Sequence, residues 1–419
     1  MDKHIPQGYK DSPLGIIPKE WEVKRLGDLG SFKNGLNFSP NDSGISYYFL
    51  GVGDFLNRNV IDVRNLGHIH LKDKLDESYL IKDQDLVFVR SNGSKSLVGR
   101  SVLIKSNQEE ATYSGFCIRF RSDNKCTTTK YIQHLINVGY LKRFLVYEGR
   151  GTNITNLNQD ILGRLSFPIP PIAEQDRVLH ILSIWDTAIE KQSELVEKLK
   201  LRKQALMQQL LTGKKRLPEF SGEWKKRTYS SILTEVKRSL KWDENELYKL
   251  ISVRRRSEGL FFRESLYGRD IATKNLRPAK TGDFLISKMQ IVHGASGLVT
   301  DEFDDAKISG SYISLVSKDS NILDIRYYNF WSQMPIFYHQ TFVSSFGVHI
   351  EKMTFDLDTF MSFGMPLPPI EEQHAIVSLI ESVNKEIKLA NEKLTNYQSQ
   401  KRGLMQQLLT GKKRTINIE

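Results

Sequence analysis

The sequence predicts an α+β protein with a pseudo-two-fold internal repeat. Two mixed α/β globular segments are joined by two long antiparallel helices that form an intramolecular coiled coil. Three observations carry this. Pro168-Ile169-Pro170-Pro171-Ile172-Ala173-Glu174-Gln175 recurs as Pro366-Leu367-Pro368-Pro369-Ile370-Glu371-Glu372-Gln373, and Leu206–Arg216 recurs unchanged as Leu404–Arg414, both at an offset of 198. Between these ends, Val178, Leu182, Trp185, Ile189, Gln192, Val196, Leu199, Lys203, Leu206 and Leu210 keep a 3.5-residue period, matched by Ile376 through Leu408 in the second copy. Such a period sustained over several heptads is a coiled-coil seam. Lastly, Asp85–Arg90 and Asp283–Lys288 are strand-like and again 198 residues apart.

Taken along the chain, these observations divide it into residues 1–167 (globular), 168–216 (helical), 217–365 (globular), 366–414 (helical) and a tail, 415–419. In the first globular segment, Gly51-Val52-Gly53 and Phe116–Phe120 read as strands and Tyr131–Tyr147 as helix. In the second, Ile251–Val253 and Tyr312–Val316 read as strands and Ile325–Tyr338 as helix. The double proline suits each helix start, and Glu174 or Glu371-Glu372 complements the dipole there. Gly213 and Gly411 suit C-caps, and the Lys-Lys-Arg beyond each reads as helix-end chemistry or as a phosphate contact. Only about ten residues separate Gly213 from Trp224, so the second globular segment begins near the far end of the first helix. The second helix must then run back to pair, which makes the two antiparallel; a homodimeric coil is the competing arrangement.

Lys+Arg 60 against Asp+Glu 49 gives +11 in 419 residues and a pI near 9.3, which suggests a polyanionic partner. The excess is spread over all the segments, so no disordered cationic arm is present. Cys117 and Cys126 are too few for a disulfide framework or a thiolate zinc site. Neither a secretory leader nor an 18-residue apolar run appears, so the expected location is the cytoplasm.

Catalytic signatures fail one by one. Leu211–Lys215 lacks the upstream glycine and the hydroxyl residue of a phosphate loop, and Leu56 stands where a dinucleotide fingerprint needs its third glycine. No methyltransferase Asn/Asp-Pro-Pro-aromatic motif occurs, and the nine histidines lack metal-ligand spacing. The expectation is a non-enzyme with no catalytic, cofactor-binding or metal residues. Polar loops fit DNA contact better. Arg90, Ser91, Asn92, Ser94 and Lys95 follow a strand; Arg150, Thr152 and Asn153 form a second loop; Arg254, Arg255, Arg256, Lys288, Gln290 and His293 form the counterpart in the second copy. Arg grips guanine bidentately, Asn or Gln grips adenine, and Ser and Lys suit phosphates. The competing reading is a set of solvated turns.

The repeated Pro-X-Pro-Pro-Ile-X-Glu-Gln and Leu-Leu-Thr-Gly-Lys-Lys-Arg motifs, with lead-ins Glu20–Leu26 and Gly222–Lys225, resemble the specificity (S) subunit of type I restriction–modification systems over essentially the whole chain. The resemblance implies that residues 1–167 and 217–365 are target-recognition domains, each reading half of a bipartite double-stranded DNA site. The helices would set the gap and dock two modification (methyltransferase) subunits. Those partners would bind S-adenosylmethionine, and two restriction (translocase/nuclease) subunits using ATP and Mg would join outside them; this chain would hold no cofactor. Alternative readings are a methylation-only or other defence complex without a nuclease, and a coiled-coil adaptor that does not touch DNA.

Overall fold

The computed structural model describes residues 5–37, 44–56, 59–91, 97–123, 126–147 and 157–415. They form two compact units, one of residues 1–192 with 393–419 and one of residues 193–392. Each unit therefore holds one globular segment and half of each long helix.

In the first unit a five-stranded sheet runs in the order Gly30–Asn34, Cys117–Ser122, Leu86–Val89, Ser101–Lys105, Val60–Asp62. A smaller sheet places Ile45–Leu50 between Ala111–Tyr113, parallel to it, and Gly67–Leu71, antiparallel. Leu86–Val89 is buried throughout because both its faces are covered: Leu86 and Phe88 enter one core, Val87 and Val89 the other. A neck ladder pairs Glu22–Arg25 with Ser166–Ile169, directly before the first long helix.

The second unit repeats this plan. Leu233–Glu235, Tyr312–Ser317, Phe284–Ser287 and Ser296–Leu298 form the main sheet. Leu247–Val253 again has one antiparallel neighbour, Leu260–Tyr267, and one parallel neighbour, Lys307–Ser309. Phe284 and Ile286 face one core and Leu285 the other, the same period-2 division. The neck ladder is Lys225–Thr228 with Gly364–Leu367.

The long helices span Ile172–Leu211 and Ile370–Leu408, each roughly 60 Å at 1.5 Å per residue. They pair within the chain. In the first unit Val178 and Leu182 pack with Met405, Leu408 and Leu409, and Trp185 meets Tyr397 edge-on at 5.8 Å. In the second, Leu206, Met207 and Leu210 pack with Ile376, Val377 and Ile380. In both units residue numbers fall on one helix as they rise on the other, so the pairing is antiparallel. None of the ten positions from Val178 to Leu210, nor their counterparts from Ile376 to Leu408, is exposed.

Three expectations need correction. Gly51-Val52-Gly53 is no strand: the strand ends at Leu50 and a 3-10 turn spans Val52–Phe55, closed by the Asp54 carboxylate accepting from Gly51 N at 2.9 Å. Tyr131–Tyr147 is two helices, Thr129–Asn137 and Tyr140–Tyr147, broken where Gly139 adopts φ +93°. Ile325–Tyr338 likewise divides into Ile325–Trp331 and Pro335–Val343, since Pro335 cannot supply the N–H that would continue the first helix.

The seam is imperfect at one position. Lys401 forms an ion pair with Asp186, but its counterpart Lys203 stands opposite a copy in which Asn384 replaces the aspartate by the 198 offset. Burial pushes the Lys203 ammonium below its ordinary pKa. Lys203→Met is therefore expected to raise the unfolding temperature by about 3 °C, from a gain of about 1 kcal/mol. A fall in the melting curve would contradict this.

Candidate nucleic-acid interface

The conserved wording of the repeat builds one anchor in each unit. In the first, the buried Glu174 carboxylate accepts from Trp21 Nε1 at 3.0 Å and from Arg414 Nε and Nη2 at 2.8 and 3.0 Å. In the second, Glu372 accepts from Trp224 Nε1 at 3.0 Å and from Arg216 Nε and Nη2 at 2.9 and 2.6 Å. Each anchor ties the lead-in of a globular segment to the start of one long helix and the tail of the other. Of each Lys-Lys-Arg, the arginine thus reaches the opposite helix, while both lysines stay exposed. Gly411 must be glycine here: its φ is +72°, and a Cβ would lie 2.5 Å from Pro18 Cδ. The neighbouring glutamine holds the globular segment itself. Gln175 Nε2 donates to Cys126 O and Pro170 O, and Gln373 Nε2 to Ile322 O and Pro368 O.

On this frame the two copies hold one backbone position identically. In the first unit Arg90 N donates to Phe116 O at 2.8 Å, and Leu157 N donates to Arg90 O at 2.8 Å. In the second, Lys288 N donates to Ser311 O at 2.9 Å and Phe355 N to Lys288 O at 3.0 Å. Arg90 and Lys288 are thus equivalents, each at the end of the doubly covered strand. Phe116, beside Arg90, is 55% exposed. Ser91 follows half-buried, while Asn92, Ser94, Lys95, Arg150, Thr152 and Asn153 lie outside the described residues.

Around Lys288 the remaining candidates converge. The hairpin turn after Leu247–Val253 exposes Arg254, Arg255 and Arg256. Two backbone bonds press that turn onto the neighbouring loop: Arg256 N to His293 O at 2.7 Å and Ser257 N to Gly294 O at 2.8 Å. Arg256 and Ser257 accept φ of 60° and 54° to make this fit. Arg254 stacks over Phe261 at 4.9 Å, which leaves its guanidinium pre-positioned. Arg255 Nη2 donates to Glu351 Oε2 at 3.2 Å, and His293 Nε2 lies 3.1 Å from Glu351 Oε1. The Gln290 side-chain oxygen is buried and has no hydrogen-bond partner among the described residues. The sequence reading missed Glu351, since nothing local links it to an arginine 96 residues away. It also missed the exposed loop that carries Glu351.

Exposed guanidinium groups on a strained, well-supported turn suit phosphate and base-edge contact. Residues 18–200 and 222–396 each match the family described as Type I restriction modification DNA specificity domain. The chain belongs to that family. Two relatives from Methanocaldococcus jannaschii are named as specificity subunits of the type I restriction enzymes MjaX and MjaVIII. The first is 23% identical over 97% of this chain and 96% of its own length, the second 20% over 100% and 99%. A chain from a solved structure of a type I restriction–modification system covers 94% of this chain and 99% of itself at 15% identity, with a TM-score of 0.61. That likeness concerns the fold alone. Among the described residues no helix is long and apolar enough to cross a membrane.

Proposed function

We propose that this chain is the DNA-reading, non-catalytic subunit of a type I restriction–modification complex in the cytoplasm. Each globular segment reads one half of a bipartite site on duplex DNA, and the helices set the gap. The observation that carries the reading is the repeated clamp on Arg90 and Lys288. One scaffold, written twice, presents different side chains at the same place, as two readers of different half-sites require. The arginine turn beside Lys288 supplies the base and phosphate chemistry.

Two modification subunits dock on the helices and methylate adenine with S-adenosylmethionine, and restriction subunits join where the system cleaves. Leu195, Leu201 and Leu389 support helix docking, because they point off the seam and are 45%, 65% and 55% exposed. Each modification subunit would supply its own cofactor.

Removing residues 193–199 together with 389–395 deletes one heptad from each helix and keeps the antiparallel register on either side. The coil shortens by about 10 Å, or roughly three base pairs. Sequencing the methylated motif in cells carrying the shortened chain should show the same half-sites with a shorter gap, or no modification. Methylation at the original spacing would sink the ruler reading. Exchanging residues 1–167 for those of another family member should change one half-site only.

A further inference from the structure

Counted by the 198 offset that pairs Lys288 with Arg90 and Phe355 with Leu157, Val348 falls at the sequence position of Arg150. Where the first copy reads Arg150-Gly151-Thr152-Asn153-Ile154, the second reads Val348-His349-Ile350-Glu351-Lys352. The stretch before the clamping residue is thus mostly polar in one copy's sequence and carries exposed apolar residues in the other's. In the second unit this loop joins the short strands Ser345–Phe346 and Thr354–Phe355. Its neck is pinched: a Cβ on Gly347 would lie 2.8 Å from Lys352 O. The pinch drives the tip outward, and Phe346, Val348 and Ile350 are 60%, 92% and 49% exposed. Single exposed apolar side chains are ordinary, but three within five residues on one protruding tip are not.

The surroundings identify the occupant. Glu351 on this loop joins Arg255 and His293, Phe355 N closes onto Lys288 O, and Lys352 and His349 are exposed. The apolar tip therefore stands inside the cationic cluster, and a polyanion that engages Arg254–Arg256 meets it. A duplex offers such a tip one apolar group at its base edges, the 5-methyl of thymine in the major groove. We propose that the 346–350 loop, with Val348 at its tip, reads a thymine methyl in the half-site taken by the second globular segment. This rests on the DNA-reading function above.

The test uses the complex with its modification subunits and duplexes in which each thymine of that half-site is replaced in turn by deoxyuridine. Pairing is kept and only the methyl is lost. One replacement should weaken binding about fourfold, the worth of one buried methyl group. Val348→Ser should bind the thymine duplex about as weakly as wild type binds the uracil one, and should no longer distinguish the two. No thymine in the half-site, no effect of any replacement on wild type, or undiminished discrimination by Val348→Ser would overturn the proposal. Loss of the modification subunits from the Val348→Ser complex would overturn it too, by making the loop a protein interface. If wild type shows no sequence-selective binding, it is the DNA-reading function that fails.

Discussion

Glu174→Ala is expected to destabilise the first unit by about 3 kcal/mol, the usual cost of removing one partner from a buried ion pair. The carboxylate is 2% exposed and is the shared acceptor for the Trp21 indole and the Arg414 guanidinium. Its loss leaves three N–H donors facing a space that alanine cannot fill. Trp21, with no exposed surface, and Arg414, with 18% of its side chain exposed, have little water to turn to. Glu174→Gln keeps one acceptor oxygen and should cost less. Glu174→Ala combined with Arg414→Ala should cost less than the sum of the single changes, because the second removes a charge the first has stranded. Amide hydrogen exchange over residues 18–26 and 405–414 reads this locally, where a global melt of two units would blend transitions. Unaltered exchange in those segments would show that the anchor holds nothing.

The anchor also shows what the sequence made legible. The recurrence of Pro-X-Pro-Pro-Ile-X-Glu-Gln marked the helix starts, and the seam period gave their pairing, because both signals are local and periodic. The reading of Glu174 as a first-turn charge for the helix dipole was incomplete. Its partners lie 153 and 240 residues away, at distances no spacing rule encodes. The same repeat held a further clue. By the 198 offset Val348 falls where Arg150 does in the sequence, so a polar stretch singled out in one copy pointed to an apolar stretch in the other. A search for cationic and amide side chains passes over valine and isoleucine, although their exposure on this loop is what the structure makes conspicuous.

The strands failed and succeeded for an equally physical reason. Leu86–Val89 and the first three residues of Phe284–Ser287 are continuous apolar runs because each strand is covered on both faces, and such runs are easy to see. Gly51-Val52-Gly53 looked like their neighbour only by proximity, while its glycines and Asp54 favour a turn. The division of Tyr131–Tyr147 at Gly139 and of Ile325–Tyr338 before Pro335 follows residues visible in the sequence, yet the helical period runs through both breaks. Periodicity locates a face; it does not report where the backbone stops following it.

Acid should weaken the first unit before it touches the carboxylates, through His134. This side chain sits on the helix Thr129–Asn137, 8% exposed, with Nδ1 lacking a hydrogen-bond partner among the described residues. Burial and then the nearby Lys401 ammonium push its pKa down to about 4, against an opposing pull from Asp186. The unfolded chain, with an ordinary histidine near 6.5, binds the proton more tightly than the folded one. Stability is therefore complete above about pH 6.5 and is lost as the pH falls towards 4; by pH 5 the loss reaches about 2 kcal/mol. Carboxylates act lower: Arg64 holds Asp62 down to about 2, so that pair gives way only below about pH 4. His134→Leu removes the proton site without stranding a hydrogen bond, and the position is 8% exposed, so an apolar side chain of similar size suits it. Urea midpoints at pH 7.5 and 5.0 should differ clearly for the wild-type chain and little for His134→Leu. Equal pH dependence in the two proteins would place the acid-labile group elsewhere.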